Sequence, residues 1–222
     1  MGKDKIRRFQ ENTGFGCLFQ PRFEEIFQKD YLLKGAWNST VFGREAPICL
    51  ELGCGKGEYT LALAQKYPHR HFIGIDIKGA RLWRGAKTAT EESLPNVAFL
   101  RTRIEFIESF FGKNEVDEIW ITFPDPQLGR ERKRLTHPMF LERYRTFMRS
   151  GAVIHLKTDS RELYDYTLTL AHQLRYPILQ SCPDIYAEQL DREIEILSVR
   201  TFYEQQFLAM GKPITYLSFT LP

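Results

Sequence analysis

Apolar and polar residues form a repeating block pattern along most of this chain. From residue 48 onward, short apolar runs are separated by stretches in which apolar residues recur at helical spacing. The apolar runs predict strands over residues 48–52, 71–77, 96–101, 116–123, 152–157, 178–180 and 214–220. The amphipathic stretches predict helices over residues 58–66, 80–93, 104–111, 138–149, 161–174 and part of 193–209. This alternation indicates βαβ units and therefore an α/β fold with a mainly parallel sheet. The central strands are almost entirely apolar, as expected when helices cover both faces of the sheet.

Residues 1–35 lack this alternation. We therefore predict a basic, partly disordered N-terminal arm over residues 1–35 and a single domain over residues 36–222. A chain of 222 residues is long enough to bury the core of one such domain without disulfides or metals.

The composition excludes several classes of protein. Hydrophobic residues make up 43% and charged residues 27% of the chain, which is typical of globular proteins. No apolar run approaches the roughly 18 residues of a membrane span, and the charged N-terminus does not resemble a secretory signal. The four cysteines form no C-x-x-C pair, so we expect a cytoplasmic protein with neither a zinc site nor a disulfide framework.

Charge is distributed unevenly along the chain. The net charge is only +3, but residues 1–10 and 127–149 are basic, whereas residues 184–195 are acidic. Two basic segments suggest that one face of the protein binds a polyanion. A solvated surface without a partner is the alternative interpretation of the same pattern.

The first predicted strand ends in a glycine-rich turn. Glu51 is followed by Gly53, Gly55 and Gly57, which let the backbone turn sharply and approach a ligand closely. The next strand delivers Asp76, whose carboxylate could accept hydrogen bonds from both hydroxyls of a ribose. A dinucleotide site is the alternative, although its glycine spacing differs from the one found here.

Two sets of motifs resemble known families. The E-x-G-x-G-x-G pattern resembles motif I of the class I S-adenosyl-L-methionine (SAM)-dependent methyltransferases. F-P-D-P at 123–126, the basic run at 130–134, K-T-D at 157–159 and T-F-Y-E at 201–204 resemble, in this order, the bacterial tRNA (guanine-N7-)-methyltransferase family. The resemblance covers roughly residues 48–220. It implies a Rossmann-like fold with seven strands, the last antiparallel, SAM as cofactor, tRNA as partner, and a monomer or homodimer.

The resemblance also implies roles for individual residues. The positions that match cofactor-binding residues are Glu51, Gly53, Gly55, Asp76, Arg103, Ile104 and Asp125. The positions that match substrate-binding residues are Arg130, Asp159, Thr201, Tyr203 and Glu204. Asp125 matches the acidic residue at the methyl-transfer centre. The chain departs from the family pattern at Gln127, where tryptophan is usual, at Gly129, where lysine is frequent, and at Arg103, where an acidic residue is expected.

The implied reaction suits these residue types. Guanine N7 carries a free lone pair and no proton, so the reaction needs positioning more than a strong base. Asp125 could stabilise the positive charge that develops on the methylated ring, or it could anchor the base through its N1–H and N2–H groups. Two other functions stay open, a small-molecule methyltransferase and a non-catalytic RNA-binding protein.

Each candidate also has a purely structural interpretation. Asp125 could be a turn residue between two prolines, and Asp159 could cap the helix that follows it. Glu204 could be a solvated helix residue, and the run 132–134 could be a solvated basic face.

Overall fold

A single mixed sheet organises the molecule. The structure, a computed structural model, describes residues 2–222, with side chains from Ile6 onward. In this part of the chain eight strands pair in the order β1-β4-β3-β2-β5-β6-β8-β7. They are β1 (Leu18–Phe19), β2 (Ile48–Leu52), β3 (His71–Asp76), β4 (Val97–Arg101), β5 (Val116–Thr122), β6 (Met148–Thr158), β7 (Ile178–Cys182) and β8 (Thr215–Leu221).

The strand directions confirm the predicted fold class. Strands β1 to β6 pair in parallel, and β8 runs antiparallel to both β6 and β7. The predicted number of seven strands was wrong by one, because the two-residue strand β1 adds to the edge of the sheet beside β4.

Helices connect most of the strands. The α-helices are α1 (Gly2–Glu11), α2 (Phe23–Ile26), α3 (Glu58–Lys66), α4 (Gly79–Glu91), α5 (Pro138–Arg145), α6 (Arg161–Gln173), α7 (Leu190–Glu193) and α8 (Phe202–Ala209). Shorter 3₁₀ segments include Ile104–Ser109, where an α-helix over 104–111 was predicted. The helix predicted over 138–149 ends at Arg145, because Met148 already belongs to β6 and pairs with Val116 of β5.

Two residues at the end of α1 and just after it contact α4, and the partly disordered arm over residues 1–35 stays a prediction. Asn12 donates a side-chain hydrogen bond of 3.0 Å to the Gly79 carbonyl at the start of α4. Glu11 accepts one of 2.6 Å from the Trp83 indole. The side chains of Lys3, Asp4 and Lys5, which belong to the predicted basic segment, lie outside the described residues. The division of the chain at residue 36 stays a prediction.

The core lies on both faces of the sheet. Successive side chains of a strand point to opposite faces. Accordingly, β2 places Ile48, Leu50 and Leu52 in one apolar cluster and Cys49 in the other. The cluster around Leu50 includes residues of α5 and α6, and the cluster around Cys49 includes residues of α3 and α4. The parallel strands therefore end together at one edge of a covered sheet, where ligands of such folds bind.

In the described part of the chain, no helix combines the length and the apolar composition needed to cross a membrane.

Candidate functional site

The glycine loop between β2 and α3 brings backbone groups to the carboxyl edge of the sheet. Gly53, Gly55 and Gly57 have φ values of 76°, 58° and 74°, in the left-handed region that favours glycine. A Cβ atom at Gly57 would lie 2.5 Å from the Phe99 ring, so space as well as backbone conformation requires glycine there. The loop is held against the neighbouring strand, because the Gly53 amide donates to the Ile75 carbonyl at 2.8 Å.

Two carboxylates flank this loop. Asp76 Oδ2 accepts from the Gly55 amide at 3.0 Å, and Oδ1 accepts from the Lys78 amide at 2.7 Å. Asp76 therefore fixes the glycine loop, and each oxygen keeps a further lone pair for a ligand hydroxyl.

Glu51 is the deeper of the two carboxylates. Its side chain is buried, and it accepts hydrogen bonds from the Thr60 amide and hydroxyl and from the Thr122 hydroxyl. Burial raises the pKa of Glu51 from its usual 4.5 to about 7, against the hydrogen bonds from Thr122 and Thr60, which lower it. Glu51 thus links the first turn of α3 to the end of β5.

Two concave spaces meet at Gly53. The first, which we call the glycine-loop pocket, is lined by Glu51, Gly53, Cys54, Gly55, Lys56, Glu58, Arg81, Thr122, Phe123, Thr201, Phe202 and Tyr203. The second, which we call the strand-end groove, is lined by Gly53, Asp76, Ile77, Thr102, Arg103, Ile104, Glu105, Gln127, Arg132, Lys133, Leu135, Met139 and Phe140. The groove combines a carboxylate at the end of β3 with apolar side chains, a combination that suits a nucleoside.

The loop after β5 joins the two spaces. Phe123 lines the glycine-loop pocket, Gln127 lines the strand-end groove, and Asp125 lies between them in the chain. Phe123 and Gln127 both have positive φ, 46° and 50°, a backbone conformation that residues other than glycine rarely adopt. Asp125 is exposed, and its Oδ1 accepts from the Gln127 amide at 3.0 Å. Asp125 is therefore a turn residue, but the turn uses only one carboxylate oxygen.

A buried arginine braces this loop from behind. Arg134 is 2% exposed, and its Nε donates to the Pro126 carbonyl at 3.1 Å. The same guanidinium pairs with Glu162 and lies 4.5 Å from the centre of the Tyr166 ring. Arg134 is consequently neither a solvated residue nor a phosphate ligand, and both of these interpretations of it were wrong.

The rest of the basic segment 127–149 does not form one free basic face. Arg143 donates to the Glu105 carbonyl and to Glu108, and Arg149 donates to the Asn114 carbonyl. Arg145 donates at 2.6 Å to the backbone carbonyl of the C-terminal residue. Of the basic residues of this segment, Arg132 and Lys133 line the strand-end groove.

Asp159 and Arg130 line neither of the two spaces. Asp159 forms an ion pair of 2.9 Å with Lys212. The helix cap that we considered for Asp159 is made by Ser160 instead, whose hydroxyl accepts from the Leu163 amide at 3.2 Å. Arg130 is exposed, and its amide closes a turn by donating to the Gln127 carbonyl at 2.9 Å.

The segment 201–204 divides between the pocket and the core. Thr201 and Tyr203 line the glycine-loop pocket. Glu204 is 0% exposed and pairs with the equally buried Lys157 at 2.8 Å. It also accepts from the Tyr186 hydroxyl at 2.7 Å and forms a capping box with Thr201 at the start of α8. Glu204 is thus not a solvated helix residue, and its carboxylate points away from the pocket.

Four charged residues that line the two spaces were missed from the sequence, namely Lys56, Glu58, Arg81 and Glu105. Glu105 lines the strand-end groove and pairs with Arg103 at 3.3 Å, so a carboxylate reaches this groove two positions after the expected one. Lys56 and Arg81 line the glycine-loop pocket. Lys56 and Glu58 follow the same strand as the glycines, but in the sequence only the glycines and the acids at strand ends have an evident role. Arg81 lies within α4, away from any strand end.

The side chains described from Ile6 onward contain no cluster of histidine, cysteine and acidic residues that could hold a metal ion. The two spaces meet at Gly53, so they can place two ligands next to each other, one against Asp76 and one against Thr201 and Tyr203.

Comparisons with known proteins agree with this geometry. A family model described as a putative methyltransferase matches residues 45–217. The chain is 52% identical to a tRNA (guanine-N(7)-)-methyltransferase of Christiangramia forsetii, over 99% of this chain and 98% of that protein. It is 43% identical to a protein of the same name from Bacteroides thetaiotaomicron, over 100% of this chain and 87% of the other.

Solved structures show the same fold at low sequence identity. The 16S rRNA methyltransferase KamB superposes with a TM-score of 0.63 at 16% identity, covering 82% of this chain and 91% of the other. A SAM-dependent methyltransferase from Aquifex aeolicus superposes with a TM-score of 0.55 at 14% identity, covering 86% and 95%.

Proposed function

Because the chain belongs to the tRNA (guanine-N(7)-)-methyltransferase family, we propose that it transfers the methyl group of SAM to N7 of a guanosine in the variable loop of tRNA. The observation that carries this proposal is the meeting of two spaces at Gly53, one with a nucleoside-type carboxylate and one with exposed aromatic rings.

The strand-end groove fits the cofactor. Asp76 offers an acceptor on each carboxylate oxygen for the two ribose hydroxyls. Ile104, Leu135 and Met139 offer apolar surface for the adenine ring. Glu105 offers a carboxylate that could accept from the adenine amino group, which the Arg103 guanidinium cannot do. When bound, SAM supplies an electrophilic methyl group, and the residues of this chain orient it towards the glycine-loop pocket.

The glycine-loop pocket would receive the guanine. N7 already carries its lone pair, so the protein needs to hold the base in line with the methyl group rather than to remove a proton. The free oxygen of Asp125 can face the positive charge that develops on the ring, or it can accept from the N1–H and N2–H donors of the base. Thr201 and Tyr203 would hold the base from the other side, and Glu204 would act on it only through the position of α8.

The proposal covers two further points. All four cysteines are free thiols, in keeping with action in the reducing cytoplasm. All residues of the site belong to one chain. The site would therefore be complete in a monomer, and in a homodimer each subunit would carry its own site.

The test is methylation of an unmodified tRNA transcript with a labelled methyl donor. We expect label in N7-methylguanosine, located in the variable loop by chain cleavage at the modified base. A transcript with adenosine in place of that guanosine is the matched control and should take up no label. Methyl transfer to a small molecule but not to tRNA would favour a small-molecule methyltransferase. Binding of tRNA without methyl transfer would favour a non-catalytic RNA-binding protein. Either result would overturn the proposed function.

A further inference from the structure

A third concave space opens beside the glycine-loop pocket, between α1, α3 and α4. We call it the basic groove, and its charged and aromatic lining consists of Arg8, Lys56, Glu58, Arg81, Trp83 and Arg84. Three of these residues, Lys56, Glu58 and Arg81, also line the glycine-loop pocket. The groove therefore leads directly into the pocket that would receive the guanine.

The four cations of the basic groove form no ion pair with any carboxylate among the described side chains, and most of them lie on aromatic rings instead. The Arg8 guanidinium lies 4.8 Å from the centre of the Trp83 ring, and the Lys56 ammonium lies 4.3 Å from that of Phe202. Arg81 donates to the Tyr203 hydroxyl at 3.0 Å.

Arg84 is the most available of these cations. It is exposed on α4, and its side chain forms neither a hydrogen bond nor an ion pair with any residue that the structure describes. Glu58 is the one carboxylate in the lining, and its Oε2 already accepts from the Phe202 amide at 2.9 Å. The basic groove thus has an excess of positive charge, in contrast to the paired arginines of segment 127–149.

Exposed aromatic rings stand where the groove and the pocket meet. Phe202 is 46% and Tyr203 is 42% exposed, and the two rings are arranged edge to face with their centres 5.7 Å apart. Lys56 lies over the first ring and Arg81 near the second. Exposed rings beside unpaired cations are the features with which proteins bind single-stranded nucleic acid, since bases stack on the rings and phosphates contact the cations.

We propose that the basic groove binds the phosphates of the tRNA strand next to the target guanosine, while Phe202 and Tyr203 hold the bases at the entrance of the pocket. This inference rests on the proposed function and extends it to a binding surface. Phosphate contacts fix register and orientation without reading sequence, so the groove positions the strand and leaves the choice of base to the pocket.

The test is reversal of one charge in the groove. Arg84→Glu changes an exposed helix residue that has no partner to lose, and it should leave the fold and the SAM affinity unchanged. Lys113→Glu is the matched control, because Lys113 is also exposed but precedes β5 and so lies at the opposite edge of the sheet. The dissociation constant for an unmodified tRNA transcript is measured for both variants at several salt concentrations.

We expect Arg84→Glu to weaken tRNA binding about tenfold at low salt and to reduce the slope of log K against log salt by about one, as for the loss of one phosphate contact. Arg84→Ala should produce a smaller loss of the same kind. The turnover rate at saturating tRNA should stay near that of the wild type, because Arg84 does not line the pocket.

Three outcomes would overturn the proposal. If Arg84→Glu binds tRNA as tightly as the wild type does, and the wild type methylates tRNA, the groove is wrong and the proposed function stands. If both variants weaken binding equally, the effect is one of net charge and the groove has no special part. If the wild type neither binds nor methylates tRNA, the proposed function fails, and the groove fails with it.

Discussion

The buried ion pair of Lys157 and Glu204 should be the most sensitive structural support of the candidate site. We predict that Lys157→Met destabilises the protein strongly and also weakens the use of tRNA. All three donors of the ammonium group are occupied, by the Leu197 carbonyl at 2.7 Å, the Val199 carbonyl at 3.0 Å and the Glu204 carboxylate. Burial lowers the pKa of Lys157, and the charge of Glu204 opposes this effect.

The magnitude follows from the complete burial of both side chains. Removing one partner leaves the other charge in the core without compensation, which costs about 3–5 kcal/mol. For a chain of this size, 1 kcal/mol lowers the melting temperature by about 2–4 °C, so the variant should melt roughly 6–20 °C below the wild type.

The assay is a double-mutant cycle measured by thermal unfolding. Lys157→Met and Glu204→Gln are compared with the double variant, which should be more stable than the sum of the two single losses implies, because it leaves no unpaired charge. The functional measurement uses the single variant below its transition. The Michaelis constant for tRNA should rise while SAM affinity stays near that of the wild type. The reason is that Lys157 holds the Leu197 and Val199 carbonyls, which lie just before Thr201 in the chain. Additive losses in the cycle, or a melting temperature equal to that of the wild type, would refute the reasoning.

Four further predictions concern the site itself. Asp76→Asn should weaken SAM binding by about 1.5–3 kcal/mol, as for a hydrogen bond to a charged group, and calorimetry with unchanged affinity would remove Asp76 from the ribose site. Asp125→Ala should slow turnover by about 10²–10³ with SAM affinity nearly intact, as for loss of one electrostatic stabiliser, and near-normal steady-state rates would contradict this role. Arg103→Ala should cost about 0.5–2 kcal/mol of SAM affinity if its guanidinium covers the adenine, whereas a loss in tRNA binding alone would assign it to the RNA surface. Glu51→Gln should flatten the pH dependence of stability. The pKa of Glu51 is raised from 4.5 to about 7, so the folded state holds a proton that the unfolded chain has released, and wild-type stability should fall by up to about 3 kcal/mol as pH rises through this window.

The central βαβ units could be predicted from the sequence because their pattern is local. Strands buried on both faces are continuous apolar runs, and β2 and α3 were predicted with the bounds that the structure has. Strand β1 could not be predicted, because two residues give no period and pairing with β4 is a tertiary event. The helix predicted over 138–149 was too long for a related reason, since pairing with β5 draws the residues from Met148 onward into β6.

The position of three acidic residues in the fold could be predicted, because they lie at or just after the end of a strand. Glu51, Asp76 and Asp125 all lie at the carboxyl edge of the sheet, where the order of strands and motifs placed them. Whether charged residues elsewhere are buried or exposed could not be predicted, because their burial depends on ion-pair partners far away in the sequence. Arg134 is buried through a partner 28 residues away, and Lys157 through one 47 residues away.

The segment T-F-Y-E therefore combines two functions within one helical turn. A capping box requires the residue at the third helical position to fold back onto the helix start, so Glu204 must point to the backbone of Thr201 and not to a ligand. The same geometry leaves the preceding Phe202 and Tyr203 exposed, on the side of the pocket. A loss of activity on changing Glu204 would consequently not show that it touches the base. Melting temperature and the Michaelis constant for tRNA would change together in Glu204 variants, whereas Tyr203→Ala should raise the Michaelis constant with the melting temperature nearly unchanged.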